Sequence, residues 1–222
     1  MYYKYSPAQL ESKAEELLKK FDPERLIKAK PIDVYSVIEN CLDVPYDWKY
    51  LTPDQSILGM TAFNDGYIWV WDEPYFEDGM KPHKLCLEKG TIVIDSTLTE
   101  SNNRGRENFT VMHEVFHQII HKQCFRREAP NYAHETTNVA IKKEKKKLVT
   151  ALDYIEYQAN TCAAAFLMPR QVTSDMFKKM YQPTGKSLSD KLKRDLVISN
   201  MATEFSVSKT AMKYRLQNIG IL

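Results

Sequence analysis

The spacing of apolar positions divides the chain into helical ends and a middle that alternates. From 7 to 21, Leu10, Ala14, Leu17 and Leu18 form one helical stripe, with Pro7 suited to the first turn and Phe21 closing it. Residues 31–43 predict a second helix, with Ile32, Val34, Tyr35, Val37, Ile38 and Leu42 largely inward. From 46 the period changes to two, as Tyr46, Trp48 and Tyr50 alternate with polar residues. Met60 to Phe63 and Tyr67 to Trp71 flank Asn64-Asp65-Gly66, a turn that favours positive φ and predicts a hairpin. Residues 72–89 hold Pro74, Gly79, Pro82 and several charges and read as a surface loop, before a further strand at 91–96. A helical stripe then returns in Val111, Met112, Val115, Phe116, Ile119 and Ile120, with no Pro or Gly to interrupt it. Beyond a break at 122–152, helices are expected over 153–167, 170–181, 188–204 and 208–218. Short sequential strands beside many helices predict an α+β fold, mainly helical with a small antiparallel-rich sheet. The expected division is a domain at 1–187 and a C-terminal helical hairpin at 188–222.

Composition narrows the classes. The chain has 222 residues, 43% of them hydrophobic, enough for a packed core. Thirty-one basic against twenty-nine acidic residues leave a net charge of +2, too balanced for nucleic-acid binding by bulk charge. Cys41, Cys86, Cys124 and Cys162 form no Cys-x-x-Cys pair and read as reduced thiols. The first residues are aromatic and polar rather than a charged head before an apolar run, and no stretch is apolar enough to span a bilayer. A cytoplasmic protein is the expectation.

The stripe at 111–121 also carries chemistry. His113-Glu114-Val115-Phe116-His117 is a His-Glu-x-x-His motif, and residues four apart on a helix share a face, so both imidazoles can reach one ion. Imidazole nitrogen suits zinc. Glu114, one residue round, can touch a metal-activated water without ligating the metal, which is where a general base belongs. Two histidines do not fill a zinc sphere, and the best candidate for a third ligand is Glu156 in Tyr154-Ile155-Glu156-Tyr157-Gln158-Ala159-Asn160. That segment opens a second, Ala-rich helix. Asn160, one turn beyond Glu156 on the same face, is placed to orient a ligand histidine.

Together these segments resemble the ImmA/IrrE family of metallo-endopeptidases. The family pattern is a short strand, an Arg-x-x-Phe-Thr lead into His-Glu-x-Gly-His with a further His, then Glu-x-x-Ala-Asn-x-x-Ala ending in Leu-Met-Pro. Here these read as Ile92 to Asp95, Arg106 to Thr110, His113 to His121, and Glu156 to Pro169. The likeness continues through Met201 to Ser208, Ala211, and Arg215 to Gly220. The departures are Phe116 in place of Gly, Cys162 in place of Phe, and a Lys-rich insert around Lys142 to Lys147. The resemblance implies a zincin-like domain and a zinc-dependent, site-specific endopeptidase. Its partner would be a cognate helix-turn-helix repressor, whose cleavage releases a mobile element or stress regulon. Manganese or iron is also compatible with such a donor set.

Other residues near the motifs carry weaker expectations. His121, about 80° round the helix from His113, suits a supporting role rather than ligation. Tyr154 and His134 are candidates to stabilise the oxyanion of a tetrahedral intermediate, with Tyr132 and Tyr157 behind them. Asp153 reads as an N-cap. The segment 199–218 is compatible with a helix-turn-helix whose second helix presents Lys209, Lys213, Tyr214 and Arg215. That helix is short and only moderately basic, so a hairpin packed on the catalytic domain is favoured over direct DNA binding. The alternative function is a non-catalytic anti-repressor or DNA-associated regulator, left open by Phe116 beside the motif.

Overall fold

Ser6 and Gln9 build a reciprocal capping box, each side chain accepting the other's backbone N–H, and so start helix α1 (Pro7–Phe21). Its stripe of Leu10, Ala14, Leu17 and Leu18 is buried, as the periodicity requires. A computed structural model of the protein describes residues 3–74, 79–101, 103–124, 133–137, 150–181 and 188–222. After a 3-10 turn at Pro23–Leu26 comes α2 (Val34–Val37), capped by the Asp33 carboxylate on the N–H groups of Tyr35 and Ser36. It widens into one π-turn, Ile38–Leu42, which Asp43 ends in the left-handed region at φ 50°. The helix expected at 31–43 therefore begins at its cap, and Ile32 is buried ahead of it.

The strands are β1 (Tyr46–Lys49), β2 (Ile57–Ala62), β3 (Gly66–Val70), β4 (His83–Leu87), β5 (Ile92–Asp95) and β6 (Ala133–Thr137). Four of them form a mixed sheet in the order β1-β5-β2-β6, parallel between β1 and β5 and antiparallel elsewhere. Three expectations change here. The turn at Asn64-Asp65-Gly66 does not pair its flanks: β3 pairs with β4, because both edges of β2 are already taken by β5 and β6. Asp65 Oδ1 accepts the Lys89 N–H at 2.7 Å, tying the reversal to the chain leaving β4. Second, the segment 72–89 contains a strand, in which Leu85 and Leu87 face inward while Lys84 and Cys86 are exposed, an alternation that Pro82 and the charges obscure. Third, the break at 122–152 contains β6; the lysine run Lys142 to Lys147 and Tyr132 lie outside the described residues.

The helices that follow are α3 (Thr97–Glu100), α4 (Arg104–His121), α5 (Ala151–Leu167), α6 (Arg170–Met180), α7 (Leu188–Glu204) and α8 (Lys209–Asn218). The fold is thus α+β and mostly helical. One apolar core joins α1, α4 and α5 to the buried faces of α7 and α8, including Met201, Phe205, Met212 and Leu216. Thr150 is the N-cap of α5, with Asp153 as its capping-box partner rather than the cap itself. The other end of α5 is held by two buried guanidiniums. Arg25 donates to the carbonyls of Leu167 (2.8 Å) and Lys30, and Arg215 donates to Met168 O (2.9 Å) and through both Nη atoms to Glu11. Positive charge at the carbonyl end of a helix is favourable, and here it also fixes α5 to α1 and α8.

The turn between α7 and α8 sits on the first turn of α4. Asn108 Nδ2 donates to Ser206 O at 2.9 Å, and Ser206 takes a left-handed φ of 51°. A Cβ on Gly105 would lie 2.5 Å from the backbone of Val207 and Ser208, so glycine is what permits this approach. Among the described residues no helix is long and apolar enough to cross a membrane.

Candidate metal centre

Helices α4 and α5 pack against each other, and Ala159, Ala163 and Ala165 on α5 and Phe116 on α4 are buried. Their polar residues are carried inward with them. His113, Glu114, His117 and His121 are all buried on α4. Phe116, the departure from the family pattern, fills the interface itself: its ring stands edge-on to Phe166, centroids 6.0 Å apart, in the main core.

His113 Nε2 and His117 Nε2 lie 2.8 Å apart. Glu156 closes the triangle, its Oε2 3.3 Å from His113 Nε2 and its Oε1 3.3 Å from His117 Nε2. One ligand atom from each residue lies within 4.8 Å of the others. Asn160 Oδ1 accepts from His113 Nδ1–H at 3.1 Å, which leaves the Nε2 lone pair of that ring facing the cluster. His121 Nδ1 lies 2.9 Å from His117 Nδ1, on the outer side of that ring. Two imidazole nitrogens and a carboxylate converging in a buried space call for a shared positive charge. The direction of the His113 pKa agrees: burial pulls it down, but the Glu156 carboxylate, with Glu114 and Asn160, outweighs burial and the net shift is upward. A divalent cation satisfies the same demand, and nitrogen, nitrogen and oxygen donors are those zinc takes.

Two residues beside Glu114 escaped the sequence reading. Thr61 Oγ1 donates to Glu114 Oε2 at 2.7 Å, from near the end of β2. Gly59, two residues earlier on the same face of the strand, leaves room for the glutamate: a Cβ there would sit 2.9 Å from Thr110 Cγ2 and 3.0 Å from Glu114 Oε1. Gly-Met-Thr inside a strand pattern is the only signal the sequence offers, since a strand glycine often marks a close approach.

The remaining candidates are less concentrated. Lys4 Nζ stands 4.2 Å above the Tyr154 ring. Glu156 lies roughly 200° further round α5. His134 is on β6, in register with Thr61, its side chain outside what is described. On α8, Arg215 is buried against Glu11, leaving Lys209 and Lys213 exposed and Tyr214 half-buried.

A model of the Peptidase_M78 family, described as the IrrE N-terminal-like domain, matches residues 77–217. The chain belongs to this family. The matched M78 region contains both helices that carry the cluster and nearly all of the C-terminal helical pair. No curated protein matches the chain. Membership makes the chain a peptidase, and a metallopeptidase of the M78 family is what the His-His-Glu cluster fits.

Proposed function

We propose that the protein is a cytoplasmic, zinc-dependent endopeptidase that cleaves a helix-turn-helix transcriptional repressor at one site. The observation that carries this reading is the convergence of His113, His117 and Glu156 within 4.8 Å, with buried Glu114 adjoining. Zinc bound by these three residues would supply a Lewis acid that polarises a peptide carbonyl and acidifies water. Glu114 accepts the water proton and returns it to the leaving amine. Thr61 fixes the rotamer of the Glu114 carboxylate, and Gly59 keeps its space open. Asn160 holds the His113 ring with its Nε2 turned inward. A zincin-like architecture is supported by the placement of the His-Glu-x-x-His helix against β2, with α5 supplying the carboxylate. The repressor as substrate is supported by the resemblance to ImmA/IrrE endopeptidases, and α7–α8 would serve its recognition. The non-catalytic reading loses ground because Phe116 is spent on the α4–α5 interface and Arg215 is buried.

The test is incubation of the chain with the repressor encoded beside its gene, with zinc or manganese, followed by a gel. The expected result is one discrete pair of fragments that disappears with chelator. A stable complex of chain and uncut repressor, with metal bound, would replace cleavage with an anti-repressor function.

A further inference from the structure

The hydrogen bonding behind His117 runs further than one partner. His121 Nε2 lies 3.2 Å from Gln158 Oε1, and Gln158 Nε2 donates to the main-chain carbonyl of Tyr3 at 2.9 Å. His121 is 1% exposed and Gln158 1%, so water does not substitute for these bonds. The directions can be assigned from the far end. A carbonyl only accepts, so Gln158 must present its NH2 to Tyr3 and its oxygen to His121. An amide oxygen only accepts, so His121 carries its proton on Nε2. Neutral His121 then has a lone pair on Nδ1, and the 2.9 Å contact requires His117 to donate from its own Nδ1. His117 is left with its Nε2 lone pair directed at His113 and Glu156.

We propose that His121 and Gln158 are positioning residues that lock His117 in the Nδ1–H tautomer and hold its ring in the orientation a metal needs. The inference rests on the metallopeptidase reading for its purpose but not for its geometry. The two ligand histidines are thereby anchored differently. His113 is held by one side chain of the helix that also brings Glu156. His117 is held through a three-bond relay that ends on the main chain ahead of α1. Tyr3 to Tyr5 also pack near this end of α5, where Lys4 lies over Tyr154 and the Tyr3 and Tyr5 rings are 4.6 Å apart. The N-terminal segment is therefore part of the support of the site, although it lies ahead of the family match.

The test uses the full chain. First, nitrogen-15 histidine spectra of the unmutated protein, metal-free and with one equivalent of zinc, should show His121 protonated at Nε2 and His117 at Nδ1. The opposite tautomer at either ring overturns the proposal, and this reading is independent of whether any variant folds. Second, zinc affinity is measured by chelator competition. Gln158→Leu and His121→Phe should each weaken it by about 10–100-fold, the range typical for groups that orient ligands. The double variant should be no worse than the weaker single, because both act through one relay. Gln158→Glu still accepts from His121 but sets an oxygen against the Tyr3 carbonyl, so it should recover only part of the affinity. Folded variants that bind zinc within about twofold of the parent would reduce the pair to core packing. If the unmutated chain binds no zinc while the tautomers are as assigned, the metal reading fails and the relay stands.

Discussion

The two ends of α5 solve opposite problems. It carries Glu156, Gln158 and Asn160, half-buried or buried polar groups aimed at other polar groups on α4. Its C-terminal half is Cys162 to Leu167, apolar and close-packed, finished by the guanidiniums of Arg25 and Arg215 on its last carbonyls. The first half is built to hold positive charge, since the Glu156 carboxylate outweighs burial in raising the His113 pKa. The second half stabilises whether or not a cation is present. Burial pushes the Cys162 thiol up to about 12, so this half stays neutral apart from its arginine clasp. A close-packed apolar end therefore holds a polar end in place, and the two should separate under mutation.

The sharpest break comes from the donors. His113→Ala, His117→Ala and Glu156→Ala should each abolish binding of about one metal per chain. Each variant should keep a cooperative metal-free melt, so that loss of metal is read apart from loss of the fold. Full occupancy in Glu156→Ala, measured by metal analysis after gel filtration, would mean another residue completes the sphere. Next is Arg215→Met at the other end, which strands Glu11. Paired charges broken in this way cost about 3–5 kcal/mol, and the low end applies because Arg170 remains 3.6 Å from Glu11. Urea melts should register that loss, with zinc affinity of the folded fraction unchanged. Zinc at a hundredfold excess over Kd should stabilise the parent by about 2.7 kcal/mol and Glu156→Ala not at all. The smallest effect is Thr61→Val, which keeps the shape of the side chain but removes its bond to Glu114. About 1 kcal/mol of stability should be lost. The cleavage rate should fall further than the melt implies, and an unchanged rate would show that Glu114 needs no such support.

Much of this was legible in the sequence because helices declare themselves locally. The stripe of α1, its Pro7 and its Phe21 mark the helix from residues a turn apart, and the spacing of His113 and His117 fixes their common face. Glu156 and Asn160 were readable for the same reason. What the sequence hid is non-local. Nothing near Asn64-Asp65-Gly66 reveals that β2 has no free edge, so the hairpin it suggests is displaced by pairing with β5 and β6. Arg215 looked like part of a basic face until its carboxylate partner proved to be Glu11, on the first helix. Thr61 reaches the site from β2, whose packing against α4 no local pattern encodes.

The decisive experiment is Glu114→Gln, read three ways on one preparation. The substitution keeps volume and polarity but cannot accept a proton. Zinc titration should give the parent stoichiometry and the melt a near-parent midpoint. Cleavage of the repressor should be slower by at least about 10²-fold, the usual worth of a general base. Cleavage at the parent rate, with zinc bound and the fold intact, would contradict Glu114 as the base and with it the mechanism proposed for this site.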